Sequence, residues 1–115
     1  MYDVTFPGGL GVDVAVGAQT VHTDQDGSAP SPYQLFLASI ATCAGFYALR
    51  FCQERQIATD GLRVTMTHEP EKIAIAVTPP PGFPEKYRDA LVRAVDQCKV
   101  KRAIAHPPAF ETTIA

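Results

Sequence analysis

Three cysteines are the residues of this 115-residue chain best suited to chemistry: Cys43, Cys52 and Cys98. A thiolate can act as nucleophile, redox centre or metal ligand. The count is odd, and the spacing has neither the CxxC pairs of a zinc site nor the dense even pattern of a disulfide-stapled scaffold. Cys43 and Cys52 stand nine residues apart in one apolar run, so on a helix they lie half a turn out of phase and cannot bridge within a chain. An intrachain disulfide must therefore use Cys98, and the pairing we favour is Cys43 with Cys98, from two packed helices. Apolar burial alone raises a thiol pKa and makes it inert, and a cysteine in an apolar helix is most often a small hydrophobe. A reactive Cys43 thus needs a cation nearby, and the candidates follow Cys98 in "CKVKR": Lys99, Lys101 and Arg102. Cys52 reads as core or interface packing, and Arg50 as a helix charge seeking Glu54 at i+4. His22, His68 and His106 fall in separate elements without metal-ligand spacing.

The elements that must position these thiols can be read from periodicity. Residues 2–6 alternate weakly, "PGG" at 7–9 marks a turn, and "VDVAV" at 12–16 and "TVHT" at 20–23 complete a short antiparallel meander. "PGGLG" lacks the strand-to-helix setting of a phosphate loop and reads as a hairpin turn. A loop from Asp24 then ends in Ser31 and Pro32, a helix N-cap and first-turn pair. The helix should run over about 32–56, with Phe36, Ile40, Cys43, Tyr47 and Phe51 on one face and Leu35, Ala38, Thr42, Phe46 and Leu49 on another. It is apolar nearly all round. One small domain can hardly cover about 35 Å of such a helix alone, so oligomerisation is expected. "LRVTMTH" at 62–68 and "KIAIAVT" at 72–78 read as a hairpin, and the prolines of 79–84 end it. "EKYRDALVRAVDQCKV" places Tyr87, Leu91, Val95 and Cys98 on the buried stripe of an amphipathic helix ending near Cys98, and "AFETTIA" at 109–115 could close a sheet. Strands interrupted by helices without βαβ alternation predict an α+β domain, helices on one face of a mainly antiparallel sheet, over residues 1–115 as a single unit.

Bulk properties narrow the function. A net charge of −2 with 19% charged residues offers no electrostatic reason to expect nucleic acid or an anionic membrane as partner. The apolar run from Leu35 to Leu49 falls short of the roughly 20 residues of a membrane span, so a buried helix fits better. No basic and apolar leader pattern opens the sequence, which makes a reducing cytoplasm, with free thiols, the expected compartment.

"SPYQLFLASIATC", "ALRFCQERQI", "DGLRV" and "ALVRAVDQCKVKRAI" resemble the OsmC/Ohr family over nearly the whole chain. In that family a Pro-x-x-Leu helix start lies eleven residues before a cysteine, which Pro32 and Cys43 match. A second cysteine closes an Ala-x-x-x-Cys helix end, which Ala94 and Cys98 match. The resemblance implies an OsmC-like α+β fold, an antiparallel sheet packed on a long central helix, whose subunits intertwine as a homodimer. It implies a thiol peroxidase that reduces a small organic hydroperoxide: Cys43 attacks, Cys98 resolves, and a small dithiol restores the pair without metal, flavin or haem. The substrate pocket would include Tyr33, Gln34, Phe36 and Tyr47. Peroxidase members carry a Glu after the helix-start Pro and an Arg in the N-terminal strands; here Tyr33 holds the first position and no Arg precedes Arg50. Lys99 stands where a Pro often follows the second cysteine. Activation is then expected from another cation, Arg102 or an arginine of a partner subunit. The competing expectation is a noncatalytic dimer of the same fold that binds a small apolar ligand near Tyr33, Phe36 and Tyr47, or senses oxidants by forming the disulfide.

Overall fold

A computed structural model describes residues 1–115 and divides them into two compact units, Met1–Ala38 and Ser39–Ala115. In the first, β1 (Asp3–Gly8), β2 (Gly11–Val16) and β3 (Gln19–Asp24) form an antiparallel meander in the order β1-β2-β3. The β2–β3 turn is tight because Gly17 takes φ 60°, a left-handed backbone that costs glycine little. Directly across this pair Asp13 faces His22, and the His22 ring nitrogen Nδ1 meets the Asp13 carboxylate. That hydrogen bond, ahead of the weaker fields of Asp24 and Asp26, holds the His22 pKa above its ordinary value. Thr23, nearly water-free, donates its hydroxyl to the Val12 carbonyl at 2.7 Å. The unit buries little else, and β1 is exposed along its whole length.

The helix α1 (Pro32–Glu54) starts where the cap chemistry predicts. Ser31 Oγ accepts the Gln34 N–H at 3.2 Å, and Gln34 Oε1 accepts the Ser31 N–H at 2.9 Å. This reciprocal box satisfies two donors that the first turn would leave orphaned. Gln34, expected in the substrate pocket, thus also serves the helix end. The helix stops two residues early, at Glu54, because Gln56 takes φ 58°. Arg50 and Glu54 pair as expected, Nη2 to Oε1 at 2.6 Å.

In the second unit α1 packs with β4 (Arg63–Glu69), β5 (Lys72–Thr78) and α2 (Arg88–Asp96). β4 and β5 form a separate two-stranded sheet whose register sets Val64 opposite Val77 and Met66 opposite Ile75, so one face is apolar. Ala44, Ala48 and Phe51 of α1 join Leu91 and Val95 of α2 in the core, with Val64, Ile75 and Val77 against them. Phe51 sits 6.1 Å from the Phe83 ring and 6.0 Å from Tyr87, centroid to centroid, and Arg55 lies 3.6 Å above its face. By length and composition alone α1, at 23 residues, could cross a membrane. Its stripe of Ile40, Ala44, Ala48, Phe51 and Cys52 is nevertheless committed to the protein interior.

Near the C-terminus the structure departs from expectation in two places. The amphipathic helix ends near Cys98 as expected, a 3-10 turn (Glu85–Tyr87) leading into α2, which ends at Asp96, but a further helix, α3 (Lys99–Ala105), follows. Cys98 is extended (φ −48°, ψ 127°) between the two, at the N-cap of α3 and without a side-chain cap bond. Residues 109–115 form no strand and are exposed.

Phe51→Ala should cost about 3–5 kcal/mol, since truncating a buried aromatic removes both transfer energy and packing, and Ser31→Ala about 1 kcal/mol through the lost cap. Urea unfolding of the two variants checks both the size and the order.

Candidate functional site

The break before α3 is what assembles the thiol site. Because the chain turns sharply at Gln97 and Cys98, the opening N–H groups of α3 come near the sulfurs: those of Lys99 and Val100 favour the Cys43 thiolate, and those of Val100 and Lys101 favour that of Cys98. The two thiols also influence each other's ionisation, across a separation of 55 residues in sequence. Cys98 is fully buried and Cys43 half-buried, and neither forms a disulfide here. Cys52, fully buried, stands apart from this contact.

The electrostatics separate the two sulfurs. Burial pushes the Cys43 thiol up more strongly than any other single influence, but the Cys98 hydrogen bond, the two N–H groups and the Lys101 charge together outweigh it and leave its pKa below the ordinary thiol value. Burial pushes Cys98 up, and the bond to Cys43 pushes it further in the same direction. Cys43 is therefore the sulfur that ionises first, with Cys98 as its protonated donor. Burial likewise raises Cys52, with Arg55 only partly opposing it.

Among the cations in "CKVKR", Lys101 brings its charge to bear on Cys43. Its Nζ is held at 2.8 Å by Asp96 Oδ1. The pair borders a recess of about 230 Å3 lined by Ile40, Ile73, Ile75 and Ile104. Ile40 precedes Cys43 by three residues, nearly one helical turn, although neither thiol lines the recess. The backbone N–H groups were not legible from side-chain chemistry. The only signal for them was the run of helix-forming residues after Cys98, and it carries no capping residue.

Of the remaining pocket candidates, Tyr33 and Phe36 stack on each other in the exposed first turns of α1 with ring centroids 5.9 Å apart. Tyr47, half-buried, meets Phe46 edge-on at 5.6 Å and borders a different groove, between α1 and α2.

The profile of the OsmC-like protein family matches residues 25–113, a span that contains both thiols and every element from the loop before α1 onward. The chain belongs to the OsmC-like family. Comparison with curated proteins returns no match. Solved structures share its fold. A protein of Psychrobacter arcticus described as an osmotic stress-induced and detoxification response protein superposes with a TM-score of 0.68 at 22% identity, over 92% of this chain and 88% of that one. An OsmC-like protein from Mycoplasma pneumoniae gives 0.61 at 14% identity, over 93% and 89%. An organic hydroperoxide resistance protein of Legionella pneumophila gives 0.55 at 21%, over 90% and 88%. The α+β fold with antiparallel sheets and a long helix is thus that of the OsmC-like proteins.

The sign of the pH response follows from the shifts. Cys43, lowered on folding, adds stability as pH rises through its folded pKa toward the unfolded thiol value of about 8.5. Cys52 and Cys98, raised on folding, contribute stability below about 8.5 that is lost as pH rises further through their folded values. Alkylation against pH should therefore modify Cys43 at the lowest midpoint. Cys98→Ala and Lys101→Gln should each raise that midpoint, whereas Cys98→Ser, which keeps a donor, should move it less.

Proposed function

We propose that this OsmC-like protein is a thiol-dependent hydroperoxide reductase of the cytoplasm, acting on small organic hydroperoxides. The observation that carries the reading is the mutual influence of Cys43 and Cys98, two free thiols brought together from α1 and the α2–α3 junction, with Cys43 biased toward thiolate and Cys98 toward thiol. The Cys43 thiolate attacks the outer peroxide oxygen; the O–O bond breaks, the departing alkoxide takes a proton and leaves as the alcohol, and Cys43 becomes a sulfenic acid. Cys98 then attacks that sulfur, a disulfide forms and water leaves with the Cys98 proton. A small dithiol restores both thiols by two exchanges and is itself oxidised to a disulfide.

The backbone N–H groups of Lys99 and Val100 and the charge of Lys101 favour the thiolate here, in place of the Glu and Arg of the peroxidase relatives. The Ile40–Ile104 recess suits the apolar part of the peroxide. A homodimer is part of the reading. It is supported by the exposure of Phe36 on α1 and of Tyr2, Val4 and Phe6 on or beside β1, apolar surface that a second copy would cover. Tyr33 in the Glu position favours a second reading, an oxidant sensor that forms the disulfide without turning over. The two share their first two steps and part at the reductant.

Titration of the reduced protein with cumene hydroperoxide should remove two thiols per peroxide, and dihydrolipoamide should sustain turnover. Cys98→Ser should stop at a trappable sulfenic acid, and Cys43→Ser should leave the remaining thiols intact. Thiols that persist in excess peroxide would end the catalytic reading, and disulfide formation without turnover would leave the sensor.

A further inference from the structure

The groove between α1 and α2, about 420 Å3 in volume, is used by nothing described so far. It is a small-molecule-sized space. Three guanidinium groups border it, Arg50 and Arg55 from α1 and Arg93 from α2, against a single carboxylate, Glu54. Glu54 is already engaged by Arg50, at 3.1 Å from Nε and 2.6 Å from Nη2. That leaves Arg55 and Arg93 without an acidic partner on one wall system, in a chain whose overall charge is negative. Arg55 spends one Nη1 hydrogen on the Phe51 carbonyl at 3.2 Å and lies flat on the Phe51 ring at 3.6 Å. A guanidinium stacked on an aromatic face has its orientation set in advance while its N–H edge stays available for a fork of hydrogen bonds. The opposite end of the groove offers Phe46, half exposed, with Tyr47 edge-on to it.

We infer that this groove is a binding site for a planar aromatic carboxylate. The Arg50–Glu54 pair already shows the arrangement such a ligand would repeat, since it forms a carboxylate–guanidinium pair whose Arg50 carbon lies 5.8 Å from the centre of the Phe46 ring. The ligand's carboxylate takes the open forks of Arg55 and Arg93, and its ring lies against Phe46 and Tyr47. Charge sets the orientation, and the aromatic wall supplies the contact area. The site is separate from the thiol pair: neither Cys43 nor Cys98 lines the groove, and of its lining only Tyr47 was expected near the peroxide.

Calorimetric titration of the full-length, reduced protein with 2-naphthoate and with the uncharged 2-naphthalenemethanol tests this. Naphthoate should bind saturably at one site per chain and at least about tenfold more tightly than the alcohol, the advantage of a charge-assisted pair. Arg93→Gln, an exposed change, should weaken naphthoate by about tenfold and leave the alcohol unaffected. Arg55→Gln should do the same, and thermal melting of that variant checks that the stack on Phe51 was not needed for folding. Cys43→Ser should leave the affinity unchanged, which separates this site from the thiol reading. Equal affinity for acid and alcohol, no saturation by about 5 mM, or indifference to Arg93→Gln would overturn the proposal. A groove filled by a second copy would show itself in the same way, as an absence of binding in the assembled protein.

Discussion

Exclusion of water from Ala44, Ala48 and Phe51 of α1 against Leu91 and Val95 of α2 is the constraint from which the thiol site follows, because those contacts fix where each helix can stand. With that stripe seated, Cys43 lies next to the buried edge rather than in it, and the end of α2 delivers Cys98 to it. Two apolar helices could satisfy the same burial with no functional sulfur contact. What adds the contact is the single extended residue between α2 and α3, which turns the backbone so that the next N–H groups face the sulfurs.

Burial and ionisation pull against each other at such a site. A thiol set in apolar surroundings resists losing its proton, and Cys52 shows this outcome with only Arg55 to oppose it. Cys43 experiences the same penalty but sits among directional donors, and several modest hydrogen bonds plus one ammonium reverse the balance. The asymmetry between Cys43 and Cys98 arises without any difference in residue type. One sulfur accepts, the other donates, and each assignment reinforces the other. Lys101, tied to Asp96, exerts its charge from a fixed position, which spares the entropy of ordering a mobile side chain.

The two units differ in how much of their own apolar surface they cover. The second has a core with several fully buried residues, while the first consists of a meander whose β1 is exposed throughout, followed by turns of α1 that carry Tyr33 and Phe36 in the open. A three-stranded meander of this kind is stable when its apolar face lies against something else.

Much of the architecture was legible in the sequence. Period-two alternation located all five strands to within two residues at each end, Ser31 and Pro32 placed the start of α1, and Arg50 found Glu54. These are local features, set by side-chain period, turn chemistry and i,i+4 reach, and a linear sequence records them directly. Helical phase alone also excluded a bridge between Cys43 and Cys52 within one chain. The tertiary structure decided what depends on distant groups. It withheld a strand from 109–115. It restarted a helix after Cys98, recruited Gln34 to the cap, and brought the charge of Lys101 to bear on Cys43. Thiol ionisation in particular depends on backbone dipoles, burial and charges arriving from separate elements. Residue types name the candidates for such a site, and only their arrangement in space determines which of them gives up its proton.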